Sequence, residues 1–125
     1  MPRGESLYHK YPDYRVDLES NPKRMQVSCH GEVIAESDRT LRVLETRLDP
    51  VLYFPREDVR FELLERSDHE TFCPFKGEAC YWTLRAGDHS EENLVWSYED
   101  PFPQVAGLKD YVAFYPDRVE QSEVD

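Results

Sequence analysis

From Met25 onward the chain is cut into short runs in which apolar and polar residues alternate, and each run is stopped by a turn residue. Alternation of period two sends successive side chains to opposite faces of a strand and cannot lay down the apolar stripe of a helix. A chain cut this way folds as antiparallel strands. Met25-Gln26-Val27-Ser28-Cys29, the turn His30-Gly31 and Glu32-Val33-Ile34-Ala35-Glu36 read as a hairpin. Residues 41–45 alternate again, with Leu41, Val43 and Glu45 on one face, which extends the hairpin to a three-stranded meander.

Val51-Leu52-Tyr53-Phe54 is a strand of residues that suit a pleated surface, ended by Pro55. Arg56-Glu57-Asp58-Val59 reads as one helical turn, with acids near its start where free N–H groups favour them. Residues 61–65, 79–84, 93–98 and 111–115 read as further strands, the third with Leu94, Trp96 and Tyr98 on one side. A short helix is expected through residues 104–109. The fold class is mostly β: short antiparallel strands in a partly open barrel, with one or two short helical turns. An irregular arm (1–21) precedes a single β domain (22–119) and an acidic, frayed tail (120–125). Tyr8, Tyr11 and Tyr14 are placed to anchor the arm to the body.

Charge limits the partners. With 26 acidic and 15 basic side chains the net charge is −11 at pH 7, a field that repels nucleic-acid polymers and anionic membranes. Beyond about 8–10 Å that field is screened, so one small anion can still be held by a local cation. The three cysteines, Cys29, Cys73 and Cys80, contain no CxxC pair. They match neither a disulfide framework nor a zinc knuckle, and no metal or cofactor is expected. His69, Cys73, Cys80 and an acid fit no common zinc spacing either. The first residues lack the apolar run of a signal peptide, and no apolar run approaches the roughly 18 residues of a membrane span. A reducing, cytoplasmic setting is expected.

Reactive groups concentrate between Thr71 and Trp82. Pro74 fixes its own φ and Gly77 can take a positive φ, so Cys73 and Lys76 sit on a tight turn between aromatic strands. An ammonium beside a thiol lowers its pKa, which makes Cys73 a candidate nucleophile. Arg56 offers a planar fork for a carboxylate or phosphate, and Asp58 accepts from an amine or hydroxyl. Tyr53, Tyr81, Trp82, Trp96 and Tyr98 offer flat walls, although Tyr81 and Trp82 point to opposite faces of their strand and at most one of them can share a wall with its neighbours. Glu45, on an apolar strand, requires Arg56, Lys76 or a hydroxyl such as that of Tyr53 as partner. The expected ligand-binding set is Glu45, Tyr53, Arg56, Thr71, Tyr81 and Trp96; the candidate catalytic set is Cys73, Lys76 and Asp58. The plainer alternatives are aromatic core, an Arg56–Asp58 ion pair and a thiol used only for packing.

Glu45, the run Tyr53-Phe54-Pro55-Arg56-Glu57-Asp58-Val59, Cys73-Pro74-Phe75-Lys76-Gly77, Trp96-Ser97-Tyr98 and Val112-Ala113-Phe114-Tyr115-Pro116 resemble, in order and spacing, the family known as domain of unknown function 427 (DUF427). The likeness covers roughly residues 22 to 119. It implies an antiparallel domain of the β-tent kind. The family carries a nucleotidyltransferase-like label, but this chain has no Gly-rich phosphate loop and no paired-aspartate metal motif. Several β-tent proteins hold zinc through two CxxC pairs that are missing here.

Three functions stay open. The first is a small-molecule-binding β domain whose ligand is anionic or sugar- or nucleotide-like, held where the bends near Arg56 and Lys76 share a hollow. The second is a hydrolase or transferase in which Cys73 or Asp58 is nucleophile or base and Lys76 with Arg56 stabilises developing charge. The third is a protein-interaction module that uses its acidic surface and arm.

Overall fold

Ten strands account for most of the computed structural model, which describes residues 6–124: β1 (Val16–Asn21), β2 (Met25–Cys29), β3 (Glu32–Ser37), β4 (Thr40–Glu45), β5 (Val51–Pro55), β6 (Leu64–Cys73), β7 (Gly77–Ala86), β8 (His89–Ser97), β9 (Tyr111–Phe114) and β10 (Glu120–Glu123). Three 3-10 segments, Arg56–Asp58, Phe61–Leu63 and Pro103–Leu108, complete it. The readings made on residues 1–5 and on Asp125 lie outside the described residues. Among the described residues no helix is long and apolar enough to cross a membrane.

Every pairing is antiparallel. A seven-stranded sheet runs in the order β1-β4-β5-β9-β8-β7-β6, and a three-stranded sheet in the order β10-β2-β3. The fold is therefore mostly β and antiparallel, as the alternating pattern implies, and its large sheet is not closed into a barrel.

The pleat sorts neighbouring side chains onto two cores. Phe54, Trp82, Val112 and Phe114 pack with Val27, Cys29, Ile34 and Ala35 of the small sheet, which covers one face of the large one. Their chain neighbours Tyr53, Tyr81 and Ala113 point the other way and pack with Val43, Tyr98, Phe102, Val105 and Leu108. This second face is covered by the Pro103–Leu108 segment, and a cavity opens there.

Several expectations are corrected. Residues 16–21, read as part of an irregular arm, form β1 and pair with β4, Leu18 facing Val43 across the ladder. The tail is not frayed: Glu120–Glu123 pairs with β2. The meander is broken, because β4 leaves the hairpin and joins the large sheet between β1 and β5. Phe61–Leu63 is a 3-10 turn, and the strand that follows starts at Leu64 and runs to Cys73 as a mostly exposed edge. Leu94 does not share a side with Trp96. Asn93 takes a φ of 53°, the register slips there, and Leu94 turns to the first core while Trp96 packs on the second.

Candidate functional site

The turn between β6 and β7 delivers Lys76 into the protein. Its amide donates to the Cys73 carbonyl at 3.2 Å, and its own carbonyl accepts from the Phe102 amide at 3.1 Å. Gly77 follows with a φ of 119°, and a Cβ there would sit 3.4 Å from the Asp100 carbonyl oxygen. Only glycine meets both conditions without strain. Lys76 is consequently 8% exposed.

A cation placed so deep needs a counter-charge. Glu45, at the end of β4, supplies it: the Lys76 ammonium donates to Glu45 Oε1, and the Tyr14 hydroxyl donates to Oε2. The Lys76 and Glu45 side chains are only 10% and 8% exposed. The ammonium also lies 5.8 Å from the centroid of the Tyr98 ring.

Above this pair is a cavity of about 260 Å³. Tyr53, Tyr81, Trp96, Tyr98 and Tyr115 form its aromatic walls, and Asp49 and Leu48 come from the loop after β4. The rings brace one another. Trp96 Nε1 donates to the Tyr53 hydroxyl at 3.1 Å, Trp96 lies 4.7 Å from Tyr115 by ring centroids, and Thr71 shares a 2.9 Å hydrogen bond with the Tyr81 hydroxyl.

The arm closes the site from behind. Tyr14 stacks on Phe75 at 3.7 Å, Tyr8 and Tyr11 meet the same ring edge-on, and the Tyr8 hydroxyl donates to the Phe75 carbonyl at 2.6 Å. Cys73 is half-buried and packs against the second core, but it does not line the cavity.

The structure brings together Glu45, Tyr53, Lys76, Tyr81 and Trp96, with Thr71 held behind Tyr81. Arg56 and Asp58 lie elsewhere. The Arg56 guanidinium is 4.5 Å from the Phe61 ring centroid and 5.3 Å from that of Trp82, and it bonds Glu99 at 3.0 Å. Trp82 and Tyr81 occupy opposite faces of β7, so the two cations do not share a hollow. Arg56 instead lines a separate depression of about 350 Å³ with Arg39, Glu57 and Asp110 and without an aromatic wall beyond Tyr111. Asp58 accepts from the Ser37 hydroxyl at 2.6 Å and meets Arg39 at 3.4 Å, not Arg56. Cys80 faces the first core and Cys73 the second, so they cannot join His69 around one ion. Tyr115, Asp49 and the arm's Tyr14 were not legible as site residues. Tyr115 lies beyond the end of β9 and Asp49 in a connection, and neither shows a period that fixes its face.

Burial raises the pKa of Tyr14, Tyr53 and Tyr98 around the pair, so these three remain hydrogen-bond donors into the alkaline range where a free phenol ionises. Tyr53 and Tyr98 are raised chiefly by burial, with the Glu45 charge adding to it; Tyr14 is raised by burial and then by its bond to Glu45. Burial pushes Tyr8 and Tyr115 up to about 12. In the unfolded chain these phenols lose their protons near pH 10. Between that pH and the folded values the native state holds more protons, so stability falls as pH rises through the window. Phenolate absorbance should show five of the eight tyrosines ionising late or together with alkaline unfolding. Ionisation of all eight near pH 10 with the fold intact would contradict the buried phenols.

Fold and site together define a small antiparallel β protein with an aromatic cavity floored by a buried charge pair. The chain belongs to the family described as Domain of unknown function (DUF427), whose model matches residues 17–125. No curated protein matches it significantly.

Proposed function

We propose that the protein binds a small, flat, neutral polar molecule of the sugar or nucleoside class in the cavity above Lys76 and Glu45. The observation that carries this reading is a buried ion pair lying open to a hollow whose other walls are tyrosine and tryptophan. Rings supply stacking area, and the phenols and the pair supply a few fixed donors and acceptors, the usual division of labour in ligand pockets. A volume of about 260 Å³ suits one sugar or one base. Glu45 already neutralises Lys76 and Asp49 adds a negative charge at the wall, which disfavours a carboxylate or phosphate inside. A cytoplasmic setting belongs to this reading, supported by three cysteines that form no disulfide.

Thermal unfolding against nucleosides, monosaccharides and carboxylates tests it. A member of the first two groups should raise the melting temperature steadily with the logarithm of its concentration, by the equivalent of about 2.7 kcal/mol at a hundredfold excess over Kd. Trp96→Ala should abolish the rise and Arg56→Ala should leave it. A flat response to the whole panel, or loss of the rise in Arg56→Ala, would overturn the proposal. Breakdown of the bound compound during the titration would move the reading to a hydrolase or transferase.

A further inference from the structure

On the opposite face of the large sheet, two hairpins meet at their tips. Cys29 ends β2 and His30 opens the turn to β3, while His89 and Glu91 lie at the start of β8. The Cys29 thiol, a ring nitrogen of His30 and a carboxylate oxygen of Glu91 lie within 4.8 Å of one another. His30 Nε2 is 2.8 Å from Glu91 Oε2, and the His89 ring stacks on that of His30 at 4.0 Å.

We propose that Cys29 Sγ, His30 Nε2 and Glu91 Oε2 form a binding site for a divalent ion of the zinc class, with the fourth position open to water. The donor set carries the assignment. Thiolate, imidazole and carboxylate are the three protein ligands zinc takes, whereas magnesium and calcium prefer oxygen alone. Their charges sum to −2 and cancel a divalent ion, inside a chain whose net charge is −11.

The surroundings fit as well. Arg118 Nη2 donates to Glu91 Oε1 at 3.0 Å and to the Glu92 carbonyl at 2.9 Å. It fixes the carboxylate through one oxygen and leaves Oε2 turned toward His30, the outer-shell arrangement that orients metal ligands. Cys29 is 4% exposed, with its thiol 3.5 Å from the Arg118 carbonyl. The exposed edge of the cluster is where His30 and Glu91 reach solvent, their side chains 35% and 25% accessible. On binding, the Cys29 thiol gives its proton to the buffer, and no electron changes hands. The neutral imidazole moves its proton from Nε2, which faces Glu91 Oε2 at 2.8 Å in the metal-free site, to Nδ1 through solvent and so frees the Nε2 lone pair. The ion ties the β2–β3 turn to β8 and thereby the small sheet to the large one.

Cobalt titration of the reduced, chelator-treated full chain tests this. One equivalent should produce thiolate-to-cobalt charge-transfer absorption that zinc removes. Cys29→Ser should abolish the band, while Cys73→Ser and Cys80→Ser should keep it. Zinc should raise the melting temperature of the wild type in a concentration-dependent way and leave Cys29→Ser unchanged. His30 has a φ of 53°, which asparagine tolerates, so His30→Asn keeps the turn should the serine variant not fold. It is expected to weaken zinc binding at least as much as outer-shell losses do, roughly 10–100-fold. Absence of the band in the wild type, its survival in Cys29→Ser, or an unchanged affinity in His30→Asn would overturn the site.

Discussion

Lys76→Met is expected to lower stability by about 3–5 kcal/mol, measured as a fall in the urea midpoint at unchanged slope. Methionine fills most of the space but leaves Glu45 as a buried carboxylate whose remaining described partner is the Tyr14 hydroxyl. The loss comes from that stranded charge and not from a missing attraction. Replacing both members, Glu45→Leu with Lys76→Met, should therefore recover most of it, since apolar residues of similar volume commonly match or exceed a buried pair. The double variant should fold and yet bind no ligand, which separates the pair's role at the cavity floor from its role in the fold. A loss of under about 1 kcal/mol in the single variant would mean that the pair is hydrated like a surface bridge. A double variant as weak as the single one would assign the effect to packing.

How much of this was legible follows from where the signals are local. Tyr53 beside Phe54, and Tyr81 beside Trp82, announce two opposed apolar faces by period alone, and the two cores use those faces. The burden that Glu45 places on an apolar strand was legible too, along with a short roll of partners that included Lys76. Which partner it meets was not, because Glu45 and Lys76 are brought together by strand pairings distant in sequence. Arg56 illustrates the same limit. It follows a proline-ended strand much as Lys76 follows Pro74, but nothing local says onto which side of the sheet each bend turns. The two missed strands are polar: β10 reads Glu-Gln-Ser-Glu and is held by backbone pairing to β2 instead of by a core-facing alternation. β1 shows only Val16 and Leu18 at period two, and its partner strand lies beyond a whole hairpin, with Val16 facing Glu45 and Asn21 facing Thr40.

Phe75→Ala carries the other large effect, and its consequence lies in the arm. Phe75 is 9% exposed and is the ring on which Tyr8, Tyr11 and Tyr14 converge. Truncating a buried phenylalanine costs about 3–5 kcal/mol. Part of the site's cover is the arm itself, which can follow the vacated space, so the lower end, about 3 kcal/mol, is expected. The hydrogen bonds from the Leu7 amide to the Pro74 carbonyl and from the Tyr8 hydroxyl to the Phe75 carbonyl do not need the Phe75 ring. They hold the arm weakly once it is gone, so residues 6–15 should become sensitive to limited proteolysis before the body unfolds. Tyr14 then leaves Glu45, and the charge pair loses its third member. Removing residues 1–15 supplies the control: if Phe75 acts by docking the arm, Phe75→Ala adds little to the truncated chain, and the two losses are strongly non-additive. Additive losses, with no gain in cleavage within the arm, would place the work of Phe75 in the sheet's own packing and leave the arm a passenger.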